Sequence, residues 1–176
     1  RYEWFTISDD LSVSSAFRKK LKEGKKIGII SEAGCPGVAD PGQTLVAIAH
    51  ENNVRVKPLS GPDSIILALM SSGMNGQRFQ FVGYLPIKDQ ERARAIRELE
   101  SESLKKNCTQ IFIETPYRNN QLLDALLNNC KPTTFLCIAA GITSSGEEIH
   151  TRTIGQWKKQ KPNLHKVPAT FCLLAR

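Results

Sequence analysis

Residues 27–42 constrain the fold of this chain more than any other stretch, because a short apolar run passes directly into a loop of restricted composition. The β-branched run predicts a buried strand over residues 26–30. Glycines, prolines, Glu32 and Asp40 occupy the loop at 31–42, and residues 43–51 predict a helix. Strand–helix connections usually have about two to six residues. We therefore expect this longer loop to bind a ligand, as loops at the carboxyl ends of strands do in open α/β sheets, rather than to serve as an ordinary connection.

Strand-like and helix-like segments alternate along the rest of the chain. We predict further helices over residues 8–23, 65–72, 89–106 and 117–129, and a short helix or turn over residues 156–161. Further strands are predicted over residues 54–59, 79–84, 109–114, 133–139, 148–154 and 169–175. This alternation favours a largely parallel sheet with helices on its faces. A seam at residues 83–86 divides the chain into two predicted α/β lobes, residues 1–83 and residues 84–176.

The composition fits a folded protein with an anionic partner. Of the 176 residues, 40% are hydrophobic, which is sufficient for a core, and 23% are charged with both signs mixed, which argues against wholesale disorder. The net charge of +7 indicates a nucleic acid as partner. The alternative is a merely soluble basic protein, since the charges are scattered along the chain.

The distribution of cysteine, histidine and apolar residues argues against several classes of protein. The five cysteines lack CxxC spacing, and Cys137 and Cys172 lie in apolar runs, which indicates buried thiols and a cytoplasmic location rather than a disulfide framework. The three histidines are dispersed, so we expect no metal site. No apolar run approaches the roughly 18 residues of a membrane span, and we expect no membrane partner.

Four motifs in order carry a family resemblance over most of the chain. They read Ser-Glu-Ala-Gly-Cys-Pro at 31–36 followed by Asp-Pro-Gly at 40–42, Gly-Pro-Asp-Ser at 61–64, Phe-Val-Gly-Tyr-Leu-Pro at 81–86, and Ile-Glu-Thr-Pro-Tyr-Arg at 113–118. With these motifs the chain resembles the tetrapyrrole-methylase-like methyltransferases, which use S-adenosylmethionine (SAM). Within that family it is most similar to the branch that methylates the 2′-oxygen of a cytidine ribose in small-subunit ribosomal RNA.

The resemblance implies a fold, a cofactor and partners. It implies a two-lobed α/β fold in which each lobe is a mixed sheet flanked by helices, with SAM as methyl donor in the cleft between the lobes and without a metal. It further implies a homodimer that acts on RNA or on small ribosomal subunits. The implied cofactor-binding residues are Ser31, Glu32, Ala33, Gly34, Cys35, Pro36, Asp40, Gly61, Pro62, Ser64, Thr115 and Gly141.

Two departures from the family pattern bear on these implications. The family domain opens with a strand and a glycine- and proline-rich loop that completes the SAM site, and we expect such a segment upstream of this sequence, because the first lobe would otherwise expose an apolar sheet edge. The family's Ala-Arg-Glu-Leu-Thr-Lys is here Ala-Ala-Gly-Ile-Thr-Ser at 139–144, although Glu147 and Glu148 remain. An RNA methyltransferase is the leading hypothesis. A methyltransferase of a tetrapyrrole or another small molecule, and a non-catalytic relative that binds nucleic acid or serves assembly, are the alternatives.

Four residues are candidates for catalysis and substrate binding. A ribose hydroxyl loses its proton during methyl transfer, and Glu147 accepts it if burial raises the pKa of its carboxyl, or else lies on a solvated edge. Glu114 either faces the cleft as a second catalytic candidate or is a surface acid at a strand end. Arg118 begins a predicted helix, where the helix dipole disfavours a cation. This position indicates either a phosphate or carboxylate partner or a solvated side chain. Arg118 and Tyr117 are the predicted substrate-binding residues.

Three further features each have two interpretations. Asp40 either binds a polar part of SAM or caps the helix that follows, and we favour the cap. Residues 61–64 either approach the methionine portion of SAM or only turn the chain. Trp157 either stacks on a base or packs in the core, and we favour packing.

Overall fold

The computed structural model describes residues 2–7, 11–32 and 34–176. The chain forms two compact units, an amino-terminal unit of residues 1–63 and a carboxyl-terminal unit of residues 64–176. The predicted division of the family domain into lobes at residue 83 stays a prediction.

Two helices provide the regular structure of the amino-terminal unit, α1 (Leu11–Lys22) and α2 (Gln43–Glu51). Helix α2 has the predicted bounds, and α1 confirms the described part of the predicted helix over 8–23, whose residues 8–10 lie outside the described residues. The two helices pack against each other, and Arg18 pairs with Glu51 at 2.8 Å. Helix α2 buries an apolar stripe, as its spacing requires: Leu45, Ile48 and Ala49.

The predicted strands over residues 26–30 and 54–59 are wrong. The described backbone forms no strand at either place, and the side chains of Ile30 and Leu59 are 67% and 81% exposed. An apolar run becomes a strand only where a neighbouring strand exchanges main-chain hydrogen bonds with it, and no described segment of this unit does so. The apolar runs therefore do not by themselves predict whether a hydrogen-bonding partner is present.

The carboxyl-terminal unit is a five-stranded sheet with helices on both faces. Its elements are α3 (Ser64–Ser72), β1 (Phe79–Tyr84), α4 (Asp89–Lys106), β2 (Thr109–Ile113), α5 (Asn119–Asn129), β3 (Phe135–Ala140), β4 (Glu148–Thr153), α6 (Ile154–Lys159) and β5 (Ala169–Leu174). Every predicted element of this unit is present, with bounds that differ by at most two residues. The predicted α/β class with a mixed sheet is therefore confirmed.

The directions of the strands differ from the expected largely parallel sheet. The strand order is β1-β2-β5-β3-β4, and only β1 and β2 run parallel, whereas β2–β5, β3–β5 and β3–β4 are antiparallel. Alternation of strands and helices does not determine direction here, because the last strand, β5, inserts between two earlier ones.

The alternation of side chains along the strands builds two apolar layers. Leu136 and Ile138 of β3 face α4, α5 and α6, whereas Cys137 and Ala139 face α3. All four side chains are buried, so both faces of the sheet are covered. None of the described helices, of which α4 is the longest, is long and apolar enough to span a bilayer.

Candidate functional site

Backbone conformation and one carboxylate shape the loop at residues 31–42 of the amino-terminal unit. Gly34 and Gly37 have φ values of +76° and +82°, in the left-handed region that suits glycine. Asp40 Oδ1 accepts hydrogen bonds from the backbone N–H groups of Gly37 at 3.4 Å and Gly42 at 3.2 Å. Asp40 therefore closes the loop on itself.

The predicted helix cap at Asp40 is wrong. The N-cap residue of α2 is Gly42, and no side chain caps that helix. Asp40 precedes the N-cap by two residues, so its carboxylate reaches the N–H of the cap residue itself instead of the free N–H groups of the first helical turn.

Gly42 allows the two ends of this loop to come close. A Cβ atom on Gly42 would lie 3.1 Å from the backbone nitrogen of Gly37 and 3.3 Å from Ile29 Cγ2. An added Cβ would therefore require the backbone of the loop to shift by a few tenths of an ångström, so this position favours glycine.

The second predicted cofactor segment meets the first within the amino-terminal unit. Cys35 Sγ lies 3.9 Å from the carbonyl oxygen of Pro62. Burial, together with the charge of Asp63 and a hydrogen bond to it, raises the pKa of the Cys35 thiol. Residues 31–36 and 61–63 are thus neighbours in space, as a shared ligand would require.

The surface of these two segments fits a ligand that binds through backbone groups. No heavy atom lies within 4 Å of the position that a Cβ would take on Gly34 or on Gly61, so a ligand can lie against the main chain at both points. Glu32 and Pro36 are exposed beside them, and Ser31 Oγ donates to the carbonyl oxygen of Gly34 at 3.1 Å. Ala33 lies outside the described residues. Across the described ranges no cluster of three metal-ligating side chains occurs.

The remaining predicted cofactor residues, Ser64, Thr115 and Gly141, belong to the carboxyl-terminal unit. Ser64 is the first residue of α3. Gly141, at φ +59°, donates its N–H to the carbonyl oxygen of Pro168 at 2.8 Å, and a Cβ there would lie 2.9 Å from Ser144 Oγ. Gly141 therefore opens a tight turn after β3.

Glu114 follows β2 and is held in an ion pair. Its carboxylate is buried, and Oε1 accepts hydrogen bonds from Arg118 Nη2 at 2.7 Å and from the Thr115 N–H at 2.6 Å. Burial alone would raise the pKa of Glu114, but the hydrogen bonds from Arg118 and Thr115 and the guanidinium charge outweigh it and hold the pKa below its ordinary value. Glu114 is therefore an anion at neutral pH, and its carboxylate is the internal partner of Arg118.

Glu147 lies in a different environment. It is exposed, and its Oε2 accepts a hydrogen bond from the N–H of Thr143 at 2.7 Å across the turn that begins at Gly141. Glu147 is therefore not buried, whereas its predicted role as proton acceptor assumed a buried carboxyl. The predicted catalytic roles of Glu147 and Glu114 stay predictions.

Two of the favoured structural interpretations are confirmed. Trp157 is buried and donates its indole N–H to the carbonyl oxygen of Leu136 at 2.9 Å, so it packs in the core. Cys137 and Cys172 are buried free thiols that face each other across β3 and β5.

Sequence patterns missed the polar residues that fix the segment around Tyr117. Asn119 is fully buried, and its Nδ2 donates to the carbonyl oxygen of Val167 at 2.6 Å. The backbone N–H of Lys166 donates to the carbonyl oxygen of Pro116 at 3.1 Å. A single asparagine and a lysine carry no local signal for such distant partners.

Comparison with known proteins gives relatives by sequence. No protein-family model matches the chain. It is 34% identical over 150 residues to ribosomal RNA small subunit methyltransferase I of Escherichia coli O157:H7, covering 84% of this chain and 51% of the relative. The proteins of that name from Synechocystis sp. and Halalkalibacterium halodurans are each 36% identical, over 135 and 157 residues, covering 77% and 88% of this chain and 47% and 51% of the relatives. The chain thus spans about half the length of these curated relatives.

Comparison with solved structures gives the fold. The methyltransferase CobJ matches with a TM-score of 0.61 at 15% identity, covering 92% of this chain and 69% of CobJ. Uroporphyrin-III C-methyl transferase from Thermus thermophilus, solved in complex with S-adenosyl homocysteine, matches with a TM-score of 0.53 at 16% identity, covering 92% and 72%. The chain is therefore a homologue of the ribosomal RNA small subunit methyltransferase I proteins and has the fold of the tetrapyrrole methyltransferases.

Proposed function

We propose that this protein is a SAM-dependent methyltransferase that acts on the 2′-oxygen of a ribose in small-subunit ribosomal RNA. The name shared by its curated relatives supports methyl transfer to small-subunit ribosomal RNA, and the family resemblance supports the ribose 2′-oxygen as the acceptor. The net charge of +7 supports an acceptor with a phosphate backbone. A cytoplasmic location and a homodimer are part of the same proposal and rest on the family resemblance.

The observation that carries the proposal is the meeting of two glycine-containing loops, residues 31–36 and residues 61–63, through Cys35 and Pro62. The open backbone at Gly34 and Gly61 offers amide and carbonyl groups to the polar parts of SAM. SAM supplies a methyl group that its sulfonium already activates. The main task of the protein is then to orient the donor and the acceptor, and the hydrogen bonds of Asp40 to Gly37 and Gly42 hold the first loop in one conformation for this purpose.

The ion pair of Glu114 and Arg118 has a positioning role in this proposal. Glu114 is ionised and engaged with Arg118 and Thr115, so it fixes the guanidinium at the start of α5. The side chain of Arg118 remains 33% exposed, which leaves it able to contact a phosphate from outside.

A substitution in the first loop tests the cofactor site directly. Titration calorimetry of the full-length protein with SAM is expected to show binding, and Gly34→Trp is expected to abolish it by covering the open backbone. Gly24→Trp is the matched control, because Gly24 has a similar φ of +70° and equally open surroundings. Equal loss of binding in both variants, or a folded wild type without SAM binding, would contradict the proposed site and favour a non-catalytic relative.

One observation favours the second candidate, a methyltransferase of a tetrapyrrole or another small molecule. Ala140, Gly141 and Ser144 stand where the RNA-methylating branch has charged residues, and the turn that they form carries no cation at those positions. Methyl transfer to a tetrapyrrole precursor but not to RNA would establish this candidate.

A further inference from the structure

An exposed aromatic ring with an adjacent ammonium group stands out on the carboxyl-terminal unit. Tyr117 is 68% exposed, although it directly precedes the partly buried Arg118. Lys166 Nζ lies 5.9 Å from the centre of the Tyr117 ring, within the range of a cation–π interaction. His165 meets the same ring edge to face, with 6.3 Å between the ring centres. We call Tyr117, His165 and Lys166 the Tyr117 platform.

Hydrogen bonds join the two chain segments that carry the Tyr117 platform. The Lys166 N–H bonds to the carbonyl oxygen of Pro116 at 3.1 Å, and the buried Asn119 bonds to the carbonyl oxygen of Val167 at 2.6 Å. Asn120 Oδ1 accepts from the Leu164 N–H at 2.8 Å. The turn at residues 164–167 is thus tied to residues 116–120 at three points, so little conformational entropy is lost when a ligand binds there.

One residue of the turn, Lys166, has a strained backbone conformation. Lys166 has φ +62°, in the left-handed region that non-glycine residues rarely adopt. Such conformations persist where surrounding contacts over-determine them, and they cluster at ligand sites. Lys166 thus combines a rare backbone conformation with a position of its ammonium over the Tyr117 ring.

The charge of the platform is positive and is not neutralised internally. Among the described residues, Lys166 makes no ion pair, whereas the neighbouring Lys161 is paired with Asp124 at 2.5 Å. In a chain of net charge +7, an unpaired ammonium beside an exposed aromatic ring matches the phosphate and the base of one nucleotide.

We propose that the Tyr117 platform binds single-stranded RNA, with one unpaired base stacked on the Tyr117 ring and the adjoining phosphate on the Lys166 ammonium. This inference rests on the proposed function and deepens it, since it names an unpaired segment as the form of RNA that the enzyme accepts. In a duplex the faces of the bases are stacked on each other and do not reach an aromatic side chain. An acidic peptide would satisfy Lys166 but not the exposed face of the ring.

Binding of a short single-stranded RNA to the whole chain tests the platform. The probe is an eight-nucleotide RNA with a 2-aminopurine, whose fluorescence is quenched by stacking, and affinity is read from fluorescence anisotropy. Tyr117→Ala is expected to weaken binding by about 5- to 150-fold and to remove the quenching, since base–aromatic stacking has roughly that effect. Tyr117→Phe keeps the ring and is expected to bind within about twofold of wild type. Phe79→Ala, an exposed aromatic on β1 at the opposite end of β2, is the control and is expected to change nothing.

The cation is tested through salt dependence. Lys166→Gln is expected to reduce the slope of log affinity against log salt by about 0.7, the contribution of one phosphate contact on a single strand. Lys158→Gln removes the same charge from the last turn of α6 and is expected to leave the slope unchanged. Thermal denaturation of each variant shows whether the fold is retained.

Three results would overturn the inference. They are unchanged binding by Tyr117→Ala, equal loss in Phe79→Ala, and equally tight binding of the same sequence as a duplex or of a polyglutamate peptide. Methyl transfer to ribosomal RNA is measured on the same variants. A wild type that methylates RNA while Tyr117→Ala binds the probe as tightly as wild type leaves the proposed function standing and removes only the platform.

Discussion

The two Arg–Glu pairs with a spacing of four residues differ in burial, and this difference predicts different contributions to stability. Glu114 is buried against Arg118, whereas Arg94 and Glu98 on α4 are 78% and 64% exposed. Glu114→Gln is expected to lower the free energy of unfolding at pH 7 by about 1–3 kcal/mol, because it weakens a charged hydrogen bond in a buried place. Glu98→Gln is expected to cost no more than about 0.5 kcal/mol.

The lowered pKa of Glu114 predicts how the destabilisation by Glu114→Gln depends on pH. A carboxyl whose pKa is lower in the folded state stabilises the fold above its unfolded pKa of about 4.3, and this stabilisation disappears as the pH falls through the folded value. The difference between wild type and Glu114→Gln should therefore be largest at neutral pH and shrink below about pH 4. Denaturant unfolding at both pH values measures it, and a difference that grows in acid would show that the ion pair is not its source.

The cysteines predict a chemical reporter for the cofactor loops. Cys35 is partly buried, whereas the other four cysteines are buried, and this partial burial together with Asp63 raises the pKa of its thiol. Burial likewise raises the pKa of Cys130 to about 12. At pH 8 iodoacetamide should modify Cys35 alone in the folded protein, more slowly than a free thiol, because only the thiolate reacts.

Saturating SAM should slow this modification further, since Cys35 lies in the loop proposed to contact it. Peptide mass spectrometry identifies the modified cysteine and measures the rate of its modification, and Cys35→Ser is the control that should remain unmodified. Modification at an unchanged rate with SAM bound would place the cofactor elsewhere.

At the scale of elements, the carboxyl-terminal unit was largely predictable from its sequence. The strands β2, β3 and β5 are nearly continuous apolar runs, and α4 carries a charged surface at helical spacing, so local pattern and final structure agree. The runs at 26–30 and 54–59 look equally strand-like, but hydrogen-bonding partners and strand direction depend on distant segments. The loop at 31–42 was recognisable from its local composition. The hydrogen bonds of Asp40 within that loop and the hydrogen bond from Asn119 to Val167 were not, because they depend on the folded conformation.

The close approach at Gly42 predicts how the cofactor loop responds to one added methyl group. Gly42→Ala places a Cβ 3.1 Å from Gly37 N, so the backbone of the loop must shift. We expect SAM affinity to fall about tenfold or more, the equivalent of roughly 1.4 kcal/mol. Gly28→Ala is the control, because no heavy atom lies within 4 Å of its added Cβ. Calorimetry that finds equal affinity in Gly42→Ala and wild type would show that the loop does not contact SAM.

At the scale of the whole molecule, the proposed function assigns different tasks to the two units. The amino-terminal unit carries the paired loops at 31–36 and 61–63, and the carboxyl-terminal unit carries the Glu114–Arg118 pair and the Tyr117 platform. The chain spans about half the length of its curated relatives.

The most direct test offers SAM with a radioactive methyl group to ribosomal RNA, small ribosomal subunits and a tetrapyrrole precursor in parallel. We expect the label in RNA alone. After alkaline hydrolysis of that RNA the label should remain in a dinucleotide, because a methylated 2′-oxygen cannot attack the neighbouring phosphate. The label should be absent with Gly34→Trp and present with Gly24→Trp. Label in the tetrapyrrole alone would contradict the proposed acceptor, and a folded wild type that transfers no methyl group to any of the three would contradict the proposed function.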